Sequence, residues 1–380
     1  MNRQRKTGSQ TNNQSRRRPR RFLGWLNLRS LRLIVILLTI IAVLFSAASY
    51  GVAYWYQQKH KNEPLVIGTT FVAGYARYYG LDPKDTMQAM IDDIGFRQFR
   101  LVSYWDEIEK TQGIYNFSDL DWQFQMIEAS GGKISLSLGL RQPRWPECHM
   151  PKWAESLPMT EWEPRLKDFI KVVMERYKDS PALESYQLEN EYFLKVFGIC
   201  PDHSRDRLIR EYDFVKNIDK KHPVTITRSN NALGVPLGKP QPDEFGVSVY
   251  KRVWDKTVTK RYFEYPLPDW FYGGLAGAGE IVTGKDLIIH ELQTEAWLPD
   301  TGEYAMNDLN SLGEQYKSMN AERLKKRFEY GRESGIRTIY TWGSEWWYWH
   351  KVRANDPSMW NAAKEEVTNA QAANRDLGHR

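Results

Sequence analysis

The chain has two cysteines and seven histidines in 380 residues, and the histidines are scattered. There is no HExxH and no clustered Cys/His set, so neither a metal nor a metal-dependent reaction is expected. No GxGxxG follows the first apolar run, which argues against a dinucleotide cofactor. The DxxDxDxE run of chitinase-type barrels is missing as well. From Leu65 to about Gln371 there is no linker, no internal repeat and no low-complexity stretch. One large domain is therefore expected rather than a string of small ones.

Acid is missing from the first 32 residues, which hold ten Lys or Arg. The whole chain is +6, so with +10 in this arm the other 348 residues carry −4. A basic arm by itself suits nucleic acid, but the segment next to it points elsewhere. Leu33–Trp55 (LIVILLTIIAVLFSAASYGVAYW) carries no charge of either sign. At ~1.5 Å per residue this is enough helix for a ~30 Å hydrocarbon layer. Arginines on its N-terminal side predict a cytoplasmic N-terminus, and Tyr54, Trp55 and Tyr56 sit where an interfacial belt belongs. The small residues SAAS at 46–49 leave open a cleaved signal peptide. Under both readings the chain from about residue 57 lies outside the cytoplasm. The expected layout is a basic tail (1–32), a signal anchor spanning the cell membrane (33–56), a short stalk (57–64), the main domain (65–371) and a polar tail (372–380). The lipid bilayer is thus an expected partner and nucleic acid is not.

The main domain alternates strand-like and helix-like segments. The expected strands are LVIGTTF, FRQFRLVSY, KISLSLGL, ALESYQLENE, PVTITRS, FGVSVYK, DLIIHEL and RTIYTWG. Amphipathic helices such as 82–94, 118–130, 160–178 and 204–220 separate them. No helix is assigned in the Gly-rich, aromatic stretch RYFEYPLPDWFYGGLAGAGE before the seventh strand. Eight alternations over roughly 300 residues predict a single (β/α)₈ barrel, whose catalytic mouth lies at the C-terminal strand ends.

Two acids stand at such ends. Period-two alternation puts Leu287, Ile289 and Glu291 on one face, and Ser185, Gln187, Glu189 and Glu191 on another. A convergent pair, one protonated and one ionised, suits glycosidic cleavage. Trp105 and Trp297 lie just beyond strand ends, among 15 Trp and 21 Tyr in the chain. Flat rings there suit the apolar faces of sugars, so an oligo- or polysaccharide substrate is expected.

YQLENEYF, with Asn190–Glu191, resembles the fourth-strand motif of the retaining clan A glycoside hydrolases, most closely the family 42 and family 35 β-galactosidases. FRLVSYWDEIEKTQGIYNFSDLDW resembles the second-strand region of the same clan. PRWPECHMPKW and ELQTEAW resemble membrane-anchored, cellulase-like or family-5-like bacterial proteins. The resemblance implies cleavage of β-glycosidic bonds without a cofactor. It implies Glu191 as acid/base and Glu291 as nucleophile, with Glu295 as the alternative nucleophile. Asn190 would bond the sugar 2-hydroxyl, Arg100 would flank the nucleophile, Tyr250 would orient it, and Trp342 would floor the −1 subsite. The other reading is a non-catalytic carbohydrate-binding or cell-envelope scaffold protein on the same barrel. Finally, Cys148 and Cys200 follow the third and fourth strands in an oxidising compartment, where a disulfide between them is expected.

Overall fold

In the computed structural model the described residues are 28–194, 198, 200–230, 234 and 237–378. Most of the expected basic tail lies outside them. Two compact units divide the chain between Ala48 and Ser49. The first holds the beginning of helix α1 (Leu28–His60). By length and composition the stretch Ser30–His60, which contains an 18-residue window of mean hydropathy 2.6, is able to cross a bilayer.

The second unit is a closed barrel of eight parallel strands. These are β1 (Val66–Thr70), β2 (Gln98–Leu101), β3 (Lys133–Leu138), β4 (Leu183–Leu188), β5 (Val224–Arg228), β6 (Glu244–Val249), β9 (Leu287–Gln293) and β10 (Thr338–Trp342). An antiparallel hairpin, β7 (Arg252–Asp255) and β8 (Arg261–Glu264), is inserted after β6. The barrel order is β1-β10-β9-β6-β5-β4-β3-β2, so the eight-strand expectation holds.

Around the strands run α2 (Ala73–Tyr78), α3 (Pro83–Ala89), α4 (Trp105–Ile108), α5 (Ser118–Ala129), α6 (Met159–Tyr177) and α7 (Arg205–Ile218). They are followed by α8 (Trp270–Thr283), α9 (Leu312–Ser318), α10 (Ala321–Glu333), α11 (Ser344–Arg353) and α12 (Ser358–Asp376). Their apolar faces and the outward strand residues, such as Ile134, Leu136, Phe169, Ile170 and Val173, form one buried shell. The last helix runs beyond the expected boundary at 371.

Two expectations are corrected here. The Gly-rich stretch before β9 is helical, because its glycines face a neighbouring backbone rather than a turn. A β-carbon on Gly277 would lie 2.8 Å from a Val52 methyl and 3.1 Å from the Val52 carbonyl oxygen. Small residues on α8 thus let the end of α1 approach closely. For the same reason no free stalk covers 57–64. Helix α1 continues to His60, with Ala53 and Tyr56 fully buried and the Tyr56 hydroxyl donating to Asp286 at 2.7 Å. Lys59 and His60 both pair with Glu280 of α8. The last three turns of α1 belong to the barrel.

Candidate active site

The expected interior row Leu287–Ile289–Glu291 does not exist. Ile289 is paired with Ile339, which packs outward against Gly331 of α10. Between Val247↔Ile289 and Ser248↔Glu291 the register shifts by one residue. Such an extra residue re-aims side chains. Here it brings Glu291 into the barrel, although strict alternation from Ile289 would turn it out. Arg100 reaches it across the barrel: Nη2 donates to Glu291 Oε1 at 2.6 Å and Nη1 to the His290 carbonyl at 2.7 Å. Tyr250, just past β6, donates its hydroxyl to Glu291 Oε2 at 2.9 Å. Both carboxylate oxygens are held, and Arg100 and Glu291 are buried.

The fourth strand also ends earlier than expected, at Leu188. Glu189 and Glu191 adopt left-handed backbone conformations, with φ of 57° and 43°. Non-glycine residues hold such angles at a cost of ~1–3 kcal/mol each, which surrounding contacts must offset. Glu189 supplies them. Its carboxylate accepts from the Leu140 and Arg141 amides at 2.8 and 2.9 Å and from Arg207 at 3.0 Å. It is a structural acid that ties β4 to the β3 loop. The Glu191 amide donates to the Thr227 hydroxyl at 2.9 Å, which fixes the turn from the other side.

Glu191 is buried beside the ionised Glu291, and burial first, then that charge, push its pKa up to about 8. A Ser229 hydrogen bond partly opposes the rise. Asn190 directly precedes Glu191 and is buried. Its oxygen accepts from Gln187 at 3.0 Å and lies 3.4 Å from His290 Nε2. His290 is held neutral by burial and by the Arg100 charge, so its pKa falls well below the ordinary value.

A third carboxyl, Glu147, lies on the loop after β3 and was not anticipated. It accepts from Arg141 at 2.9 and 2.5 Å, and burial raises its pKa to about 7. The loop is closed by the expected bridge: Cys148 and Cys200 are joined, with Cα atoms 5.4 Å apart.

Trp342 ends β10 at the mouth, as expected, but one of its faces is covered. The Arg144 guanidinium lies 3.8 Å from its ring centroid and 3.6 Å from that of Tyr75. Arg144 also donates to Glu295 at 2.5 Å. Glu295 in turn accepts from the Tyr75 and Tyr79 hydroxyls at 2.7 and 2.9 Å. Glu295 is thus fully engaged in a network apart from Glu291. Nothing in the sequence marked Arg144, because it sits on an irregular loop and meets its partners only through folding. Trp297 is half-buried and meets Tyr250 edge-on at 5.6 Å, beside the site. Trp105 is a correction. It is fully buried, donates to Glu109 and packs against Trp153 and Phe169, so it offers the mouth no ring face. It is a core residue behind the second strand.

No family model matches the sequence. The β-galactosidases BgaB of Geobacillus sp. (strain Y412MC61) and Geobacillus kaustophilus are 27% identical over 111 residues. That stretch covers 24% of this chain and only 16% of theirs. Among solved structures, a GH5_18 protein from Streptomyces cattleya in complex with GlcNAc superposes with a TM-score of 0.54 at 9% identity, covering 81% of this chain and 80% of that one. A β-galactosidase from Halorubrum lacusprofundi gives 0.52 at 13% identity, covering 80% and 58%. The exo-β-1,4-mannosidase Op5Man5 from Opitutaceae bacterium strain TAV5 gives 0.52 at 11% identity, covering 83% and 60%. The chain therefore has the (β/α)₈ fold of clan A glycoside hydrolases, as its motifs suggested.

Proposed function

We propose that the protein is a retaining β-glycoside hydrolase held at a membrane by α1, with its barrel outside the cytoplasm. One observation carries the reading. Glu191, raised to about 8, faces Glu291, whose two oxygens are occupied by Arg100 and Tyr250. This asymmetry gives two like acids different protonation states at neutral pH.

Glu291 attacks the anomeric carbon while Glu191 gives its proton to the departing glycosidic oxygen. The glycosyl–Glu291 ester that forms is then hydrolysed by a water that Glu191, now ionised, deprotonates. Asn190 would face the sugar 2-hydroxyl, and Trp342 and Trp297 would flank the ring. The neighbouring β-galactosidase and exo-β-1,4-mannosidase support a β-linked substrate.

Proton NMR of the first-formed product from a panel of β-glycosides tests the mechanism. Retained configuration is expected, and an inverted product would refute the double displacement. Protease added to intact cells tests the topology. The barrel should be shaved while an N-terminal tag stays protected, and the opposite pattern would reverse the orientation.

A further inference from the structure

Backbone contacts leave Glu147 little freedom. Its φ of 63° is left-handed, which a non-glycine residue holds only where its surroundings fix it. Its amide donates to the Arg144 carbonyl at 2.7 Å, and its carbonyl accepts from the Gln142 amide at 2.8 Å. The next residue, Cys148, is bridged to Cys200, and a β-carbon on Gly198 would lie 3.4 Å from that of Glu147. The loops after β3 and β4 thus hold one another.

Arg141, fully buried, joins the same two loops through its side chain. Nη1 donates to the Leu194 carbonyl at 2.6 Å, while Nε and Nη2 both donate to Glu147 Oε2. The Arg141 carbonyl accepts from the Asn190 backbone amide at 2.7 Å. A further hydrogen bond joins the Glu147 carboxylate to the Asn190 side chain. The Asn190 oxygen already accepts from Gln187, so its NH₂ group is the donor to Glu147. The two ends of an amide have nearly the same shape, and only such partners decide which way it points. An NH₂ group has two hydrogens, so one can meet a sugar hydroxyl while Glu147 takes the other.

The charge of Glu147 acts on the acid as well. Glu147 faces both Glu191 and Glu291, and a like charge opposes ionisation of Glu191. Among the described residues, the titratable and charged groups facing these three carboxyls are Arg141 on the same loop, Arg100 on β2 and Tyr250 past β6. Burial, opposed by Arg141, and then the Glu291 charge bring the Glu147 pKa to about 7. Above neutral pH it is therefore charged.

Resting on the hydrolase reading, we infer that Glu147 is a positioning residue of the reaction. Its carboxylate aims the Asn190 amide at the sugar 2-hydroxyl and holds the proton on Glu191.

The test uses the full chain in detergent, with Glu147→Gln and Glu147→Asp. In Glu147→Gln the alkaline fall of kcat/KM should move down by at least about half a pH unit, because a negative charge beside Glu191 is gone. Preference for a 2-hydroxy over a 2-deoxy glycoside should drop about tenfold. Glu147→Asp keeps the charge but not the reach, so the alkaline fall should stay near wild type while the 2-hydroxyl preference is lost. If Glu147→Gln does not fold, Glu147→Asp alone carries the test. An unchanged 2-hydroxyl preference in every variant that folds overturns the inference and leaves the hydrolase reading standing. pH-difference infrared spectroscopy of the protonated-carboxyl band reads Glu191 without substrate, with Glu191→Gln identifying its band. That band should titrate at lower pH in Glu147→Gln, and an unmoved band overturns the proton-holding role whether or not any glycoside is cleaved. No turnover of any β-glycoside by wild type would remove the hydrolase reading and this role with it, even with the band shifted.

Discussion

Arg100 and Glu291 form a buried ion pair across the barrel, 2.6 Å between Nη2 and Oε1, joining the second strand to the ninth. The same guanidinium holds the His290 carbonyl at the register shift that turns Glu291 inward. Charge and backbone shape are therefore fixed by one side chain.

Arg100→Met removes both functions. Leaving a buried carboxylate without its cation costs ~3–5 kcal/mol. A nucleophile displaced by about an ångström loses on the order of 10²-fold in rate. Chemical denaturation and kcat/KM on the same preparation should show both losses. Wild-type kcat/KM in a folded variant would count against the assignment of Glu291.

The rate should fall as pH rises through about 8, because Glu191 must carry its proton to act as the acid. Stability follows the same sign. Its folded pKa lies above the unfolded value, so stabilisation is complete below about 4.5 and is lost as pH rises through about 8. Glu191→Gln should abolish the alkaline loss. Relative to wild type it should gain on the order of 1 kcal/mol or more between pH 5 and pH 8, read by denaturation at both pH values.

Glu291→Gln should eliminate turnover, since it removes the carboxylate that forms the glycosyl ester. Glu191→Gln should keep the first step for substrates whose leaving group needs no proton. Azide should then restore turnover by replacing the activated water. Glu295→Gln disturbs Arg144, Tyr75 and Tyr79 and should slow the reaction only partly. Loss of all activity in Glu295→Gln with retention in Glu291→Gln would move the nucleophile by four residues.

Reduction of Cys148–Cys200 releases the loop that carries Arg144 and Glu147. The bridge spans 52 residues, and its loss should cost ~2–5 kcal/mol. A lower melting temperature in reductant, with a larger KM than change in kcat, is the expected signature. An unchanged melting temperature would show that the bridge contributes nothing to the loop.

Much of the architecture was legible because it rests on local pattern. Eight apolar runs separated by amphipathic segments specify a barrel, and an uncharged run behind an arginine-rich arm specifies an apolar helix. Glu191, Glu291, Arg100 and Tyr250 could be named because strand ends in a barrel converge. Tertiary structure decided the rest. Alternation fails at His290, where a register shift set by neighbouring strands makes Glu291 an interior residue. Trp105 and Glu189 carry the same residue types as a sugar platform and a catalytic acid, yet packing makes one a core ring and the other a backbone tie. Arg144 and Glu147 became neighbours of the site only through a folded, disulfide-closed loop. The glycines of α8, which hid a helix from its own composition, are explained by a partner helix more than 200 residues earlier. Period and propensity act over a few residues, whereas register, burial and charge neighbourhood are set by segments that meet only in the folded chain.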